Sequence, residues 1–273
     1  MDKIILILFI ILLIIIFCNK ESFGNNNYLS LLNNIYTNNL TNFICYNKGK
    51  KMNGVDCIYA IVMPDRIEYM RNVLNKIGYE YVLFNAITPS KLNNKIYTSL
   101  SANQYYINKK TRLPVQLSFT MCYLDAINKN YKTIIVFEDD LVINKDINQI
   151  IKGINEFNKS DYNIFYMGYC ELNCNQQFKV DNNLELVNVR DYSKLWCCHS
   201  ICYKVKYLPD IIKYLYPMNN EFDIKLTQIY KNLNYKICIP KSVYFDQNKN
   251  LGTNNETNNA DGSLLLSPPT CNI

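Results

Sequence analysis

The sequence predicts an α/β domain over roughly residues 55–250. Three observations lead there. Short apolar runs of strand length alternate with segments of helical period. The first such unit reads strand–helix–strand, which argues for a parallel pair. The clearest strand, YKTIIVF at 131–137, runs straight into Glu138-Asp139-Asp140, an acidic exit of the kind found beside ligands at the carboxyl edge of an open sheet.

Taken in order, Cys57–Met63 (CIYAIVM) is a fully buried strand that stops at Pro64-Asp65-Arg66. Ile67–Ile77 follows as a helix with Ile67, Met70, Val73, Leu74 and Ile77 on one face, and Gly78 is placed to end it. Tyr81–Phe84 is the second strand. Residues 86–112 are polar and read as a loop with broken helix. Pro114 suits the first turn of a helix carrying Val115, Leu117, Met121, Cys122, Leu124 and Ile127. After the acidic triplet come a helix at Ile147–Phe157, strands at Tyr162–Met167 and Leu184–Val189, and helices near Tyr207–Tyr216 and Phe222–Leu233. A strand pair at Tyr235–Ile239 and Ser242–Phe245 closes the domain, and the tail 251–273 is polar. No internal repeat is visible.

Composition narrows the function. Apolar residues make up 49% and charged residues 19%, so the chain can bury a core and is not disordered. The net charge of +6 is scattered, without a basic stripe, and nucleic acid is not an expected partner. Asn, Ile, Lys and Tyr are over-used, as in an AT-rich coding source. Asn and Tyr therefore occur at many positions for genomic rather than chemical reasons.

Residues 4–18 form an unbroken apolar run behind Met1-Asp2-Lys3. The run is shorter than the roughly 20 residues that span a bilayer, yet it suits a signal segment. An uncleaved signal anchor is the preferred reading, and a signal cleaved after Gly24 is the alternative. Residues 19–54, polar and Asn-rich with one possible short helix near Leu29–Ile35, read as a stem, and the domain is expected in the lumen of the secretory system. Sequons at Asn39, Asn158 and Asn255 agree with this. Beyond Cys18 ten cysteines remain, and in an oxidising compartment they are expected to form disulfides rather than a zinc site around Cys170, Cys174, Cys197, Cys198, His199 and Cys202. His199, the single histidine, reads as a packed core residue.

The acidic triplet carries the chemistry. Alternation puts Glu138 and Asp140 on one side and Asp139 on the other. Carboxylates this close repel one another unless a cation sits among them. Mn2+ or Mg2+ suits them, completing its shell with water and the phosphate oxygens of a nucleotide diphosphate.

The ordered series resembles glycosyltransferase family 25, which includes lipooligosaccharide and procollagen galactosyltransferases. It is carried by CIYAIVMPDRIEYMRNVLNKIGYEYVLFNAI, then Met121-Cys122-Tyr123-Leu124, YKTIIVFEDDLVI, FYMGYC, CCHSICYKVKYLPDIIKYL, FDIKLTQIY and KICIPKSVYFDQNKN, which ends near Gln247. The resemblance implies a GT-A-like fold, with a mostly parallel central sheet flanked by helices. It also implies a UDP-sugar donor, often UDP-galactose, a divalent metal, inversion at the anomeric carbon, and a hydroxyl acceptor on a glycan or protein. By the same resemblance Asp139 and Asp140 are the metal ligands and Glu138 supports them. Arg66, Asp65 and Asn85 fall to the nucleotide side, and Asp223, opening a helix, is the catalytic base. The family's Gly-Cys-x-x-Ser-His reads Met121–Ala126 here, without Ser or His. That departure supports an alternative, a catalytically inactive transferase-like lumenal domain that binds a glycan or partner.

Overall fold

The structure, a computed structural model, describes residues 28–169, 185–189 and 195–251. The apolar run at 4–18, the first part of the stem, the Asn255 sequon, the tail, and Cys170 and Cys174 lie outside the described residues. Among those described, no helix is long and apolar enough to cross a membrane.

The chain runs α1 (28–38), β1 (Phe43–Tyr46), β2 (Cys57–Val62), α2 (Ile67–Ile77), β3 (Tyr81–Asn85), α3 (Asn94–Leu100), α4 (Gln104–Asn108) and α5 (Arg112–Asn128). It continues with β4 (Thr133–Phe137), β5 (Leu141–Ile143), α6 (Ile147–Lys159), β6 (Ile164–Gly168) and β7 (Leu186–Val189). Then follow β8 (Ser200–Lys204), α7 (Leu208–Leu215), α8 (Phe222–Asn232), β9 (Ile237–Pro240) and β10 (Phe245–Gln247). The eight-stranded sheet has the order β1-β3-β2-β4-β8-β6-β9-β7. β2, β3, β4, β6 and β9 all run one way, and β1, β7 and β8 run against them. It is thus a mostly parallel sheet with an antiparallel strand inserted between β4 and β6.

Side-chain alternation builds the layers. Tyr59 and Ile61 of β2, with Ile134 and Val136 of β4, join the core under α5, α7 and α8. Ile58, Ala60 and Val62, with Ile135 and Phe137, join the core under α2 and α6. β2 and β4 are buried on both faces, which is why they read as continuous apolar runs. α2 has its expected bounds and ends at Gly78, whose φ of 77° lies in the left-handed region that favours glycine. α5 is buried from Leu113 to Asp125 except at Val115, so its sequence shows little amphipathic bias.

Three expectations are corrected. The stem is, from residue 28 on, folded onto the domain: α1 buries Leu32, Ile35 and Tyr36, and β1 pairs antiparallel with β3. β9 and β10 do not pair with each other. β9 lies between β6 and β7, and β10 pairs with β5 in a separate two-stranded ribbon. Among the described residues the cysteines are not broadly paired: Cys45, Cys57, Cys122, Cys198, Cys202 and Cys238 are free thiols, all but Cys45 buried, whereas Cys197 is disulfide-bonded. Burial pushes the Cys57 thiol up to about 12, so it is inert. The Asn158 sequon lies in α6 with its amide engaged: Nδ2 donates to Gly54 O at 2.7 Å, and Oδ1 accepts from Thr133 Oγ1 at 3.0 Å.

Candidate active site

Because β2, β3 and β4 are parallel neighbours, their carboxyl ends share one edge of the sheet. A cleft of about 340 Å³ opens there. Met63 and Arg66 come to it from the end of β2, Ala86 to Pro89 from the end of β3, and Glu138, Asp139 and Asp140 from the end of β4. The starts of α5 (Arg112, Pro114, Val115) and α8 (Phe222, Asp223) form the facing wall, and Gln247 of β10 closes one side.

Arg66 is held by a 3-10 turn over Pro64–Arg66, in which Pro64 takes the position that needs no N–H. It is buried, 6% exposed, and so is not a surface cation. Its Nη1 donates to Asp139 Oδ1 at 2.8 Å and its Nη2 to Leu251 O at 3.1 Å. Met63 N donates to the other Asp139 oxygen at 2.9 Å. Asp139, expected as a metal ligand, therefore commits both oxygens to fastening the loop after β2. Burial raises its carboxyl pKa, and the Met63 amide and Arg66 charge oppose that shift.

Asp140 stands differently. Its Oδ2 accepts from Gln247 Nε2 at 3.1 Å, and its Oδ1 is buried with no partner among the described residues. Burial and the Asp139 charge push its carboxyl up to about 6, against the pull of Arg66 and Gln247. Burial also raises Glu138 well above the carboxylate range, helped by the charges of Asp140, Asp139 and Asp223. An orphaned carboxylate oxygen beside a second strained carboxylate fits a divalent cation with oxygen ligands. Among the described residues no three His, Cys, Asp or Glu side chains group closely enough to enclose a metal by themselves. A cation that keeps water and phosphate oxygens needs only one or two carboxylates.

Asp223 reaches the same cleft from the first turn of α8, where its Oδ1 accepts from Ile224 N at 2.8 Å. The structure thus brings together Arg66, Glu138, Asp139, Asp140 and Asp223. It leaves two expected residues out of the cleft lining. Asp65 is exposed on the 3-10 turn, and Asn85 ends β3 one residue before Ala86, its Oδ1 buried without a partner among the described residues.

Sequence reasoning missed Thr88, Ser118 and the ion pair between Arg112 Nε and Glu221 Oε2 at 3.0 Å, which joins the starts of α5 and α8 across the cleft. Glu221 had a weak signal, standing just before a predicted helix; Arg112 lay in a polar stretch and had none. His199 is a core residue, as read. It is fully buried, and burial pushes its imidazole down to about 4.

Asp125 and Ala126, set against the family's Ser-His pair, are buried and do not line the cleft. Asp125 accepts from Tyr36 Oη at 3.0 Å, from Tyr59 Oη and from Lys129 Nζ at 2.9 Å, and so ties α1 and β2 to α5. The α5 side chains that do reach the cleft lie earlier, Ser118 and Phe119 among them.

A mostly parallel sheet with one inserted antiparallel strand, and an acidic turn at its carboxyl edge, defines a nucleotide-sugar transferase type of architecture. Residues 62–237 match the family described as glycosyltransferase family 25 (LPS biosynthesis protein), and the chain belongs to that family. It is a glycosyltransferase, and its family points to a nucleotide-sugar donor. A comparison with curated proteins finds no significant match.

Proposed function

We propose that this glycosyltransferase moves galactose from UDP-galactose to a hydroxyl of a glycan or protein acceptor, with inversion at the anomeric carbon. The observation that carries the reading is the meeting, in one cleft, of the acidic end of β4 with Asp223 from the start of α8. The two segments are far apart in sequence and have no structural need of each other's charge.

The roles divide by environment. Asp140, with its orphaned oxygen, and Glu138 beside it would hold Mn2+ or Mg2+, which supplies positive charge to the leaving diphosphate. Arg66 borders the same space and contributes charge to the nucleotide side, while Asp139 holds its guanidinium in place. Asp223 stands on a helix anchored by Phe222, Leu226 and Ile229, as a group that must accept the proton of the acceptor hydroxyl should. The inactive-domain alternative rested on the Ser-His departure, which falls on buried core residues.

The test is transfer and hydrolysis with a panel of UDP-sugars, with and without Mn2+. Metal-dependent release of UDP from UDP-galactose supports the reading. No release from any UDP-sugar, by folded protein with or without acceptors, would sink it.

We also place the domain in the lumen of the secretory system, tethered by the run at 4–18. The unbroken apolar run is of signal-segment length, and the sequons at Asn39 and Asn255 lie beyond it. A C-terminal tag should resist protease in intact microsomes, and digestion of the tag without detergent defeats the assignment.

A further inference from the structure

His199 is buried, belongs to none of the roles above, and touches two parts of the acidic site from one position. Its carbonyl accepts from Glu138 N at 3.1 Å, where the chain leaves β4. Its ring Nε2 lies 3.2 Å from Phe245 O. A carbonyl cannot donate, so Nε2 carries the proton and donates to Phe245, and Nδ1 is the bare nitrogen. Nδ1 has no partner among the described residues, so the ring's polar contact is the one to β10.

β10 is the strand that serves Asp140. Two residues past Phe245, Gln247 Nε2 donates to Asp140 Oδ2 at 3.1 Å, and Asn248 N donates to Asp140 O at 2.5 Å. β10 pairs with the three-residue β5 in a ribbon outside the main sheet; Tyr244 N, just before it, donates to Met167 O of β6 at 3.0 Å, and the His199 bond acts on the next residue, Phe245. Gly168 at the end of β6 makes the contact possible. A Cβ there would overlap both His199 Nε2 and Phe245 O.

We propose that His199 is a positioning residue for the donor site. Its Nε2–H···O=C bond to Phe245 sets the height of β10, and β10 in turn orients the Asp140 carboxylate through Gln247. The inference rests on the reading that Asp140 serves the cation and diphosphate. Outer partners of this kind orient a carboxylate without touching the ligand, and losing one typically lowers metal affinity about 10- to 100-fold.

The experiment measures UDP affinity by calorimetry in the presence of Mn2+, with folding checked by near-UV circular dichroism. It compares the wild type with His199→Phe, His199→Gln, Gln247→Leu and Asp140→Asn. Phe fills the space without a donor, and Gln keeps an N–H at about the same reach. His199→Phe and Gln247→Leu should each lose about tenfold or more in affinity, and His199→Gln should recover most of it. A folded His199→Phe protein that binds as tightly as wild type overturns the inference, as does a folded His199→Gln protein no better than His199→Phe. Should His199→Phe fail to fold, Gln247→Leu decides, and unchanged binding there also overturns it. Asp140→Asn separates the two readings. If it binds normally, the assignment of Asp140 itself is wrong; if it fails while the His199 variants bind, only the positioning role is lost. As the chain's single histidine, His199 also gives one unambiguous imidazole nitrogen spectrum, in which a protonated Nδ1 with a bare Nε2 would contradict the geometry.

Discussion

Arg66 Nη1 donates to Asp139 Oδ1 at 2.8 Å, so the loop after β2 is locked to the acidic turn after β4. The side chains are only 7% and 13% exposed. Adjacent carboxylates of one triplet are thereby set to opposite tasks. Asp139 is neutralised by protein, and Asp140 keeps an unsatisfied oxygen.

Substitutions at the two should move stability in opposite directions. Asp139→Ala takes the carboxylate away from a buried guanidinium and from the Met63 amide, and should cost about 3–5 kcal/mol in urea denaturation. Asp139→Asn retains an acceptor and should cost about 1–2 kcal/mol. A neutral effect of Asp139→Ala would show that the other partners of Arg66, Leu251 O among them, suffice to hold it.

Asp140 should give the metal-free protein a distinctive pH profile. Its carboxyl is raised from 3.8 to about 6, so the folded state holds the proton more tightly than the unfolded chain does. The contribution of this carboxyl to stability is therefore full below about pH 4, falls as the pH rises, and levels off above about 6. The loss is up to about 3 kcal/mol for a shift of about two units. Asp140→Asn should flatten this decline and raise the melting temperature at pH 7. Added Mn2+ should stabilise the wild type more at pH 7 than at pH 5. A wild-type melting temperature that rises from pH 5 to 7 without metal would refute the account.

Asp223→Asn should lower the transfer rate by about two to four orders of magnitude while leaving UDP affinity in Mn2+ nearly unchanged. Asn is also accepted in the first turn of a helix, so stability should hardly move. A variant keeping more than about a tenth of the wild-type rate returns Asp223 to a structural role.

Asp125 should matter for stability and not for chemistry. Asp125→Ala strands the hydroxyls of Tyr36 and Tyr59 in the core, costing about 3 kcal/mol or more. Lys129→Met takes the cation from a carboxylate that is only 2% exposed and should cost about 1–3 kcal/mol, less than Asp125→Ala because both tyrosine hydroxyls still donate. Transfer activity of folded Asp125→Asn protein should match wild type. A selective loss of activity would bring this position back to the active site.

The departure from the family pattern shows how far a linear reading reaches. Anchoring the comparison on Cys122 placed Asp125 and Ala126 in register with functional residues. In the fold they face the core, because the part of α5 that meets the cleft is its first two turns. Helical phase is local information, but where along its length a helix meets the site depends on what packs around it.

The sequence by itself determined β2, α2, β3 and β4, since each has a period or an apolar run that reports burial directly, and it determined the acidic exit of β4 for the same reason. Asp223 was singled out by the family resemblance, which placed it at the start of a helix, and not by any pattern of its own. Only the tertiary structure decided that β1 belongs to the sheet, that β8 lies antiparallel between β4 and β6, and that β10 leaves β9 to pair with β5. It alone separated Asp139 from Asp140 and set His199 against Phe245. The physical reason is common to all of these. Strand partnership and side-chain hydrogen bonding depend on contacts between segments remote in sequence, and no local periodicity records which remote segment will arrive.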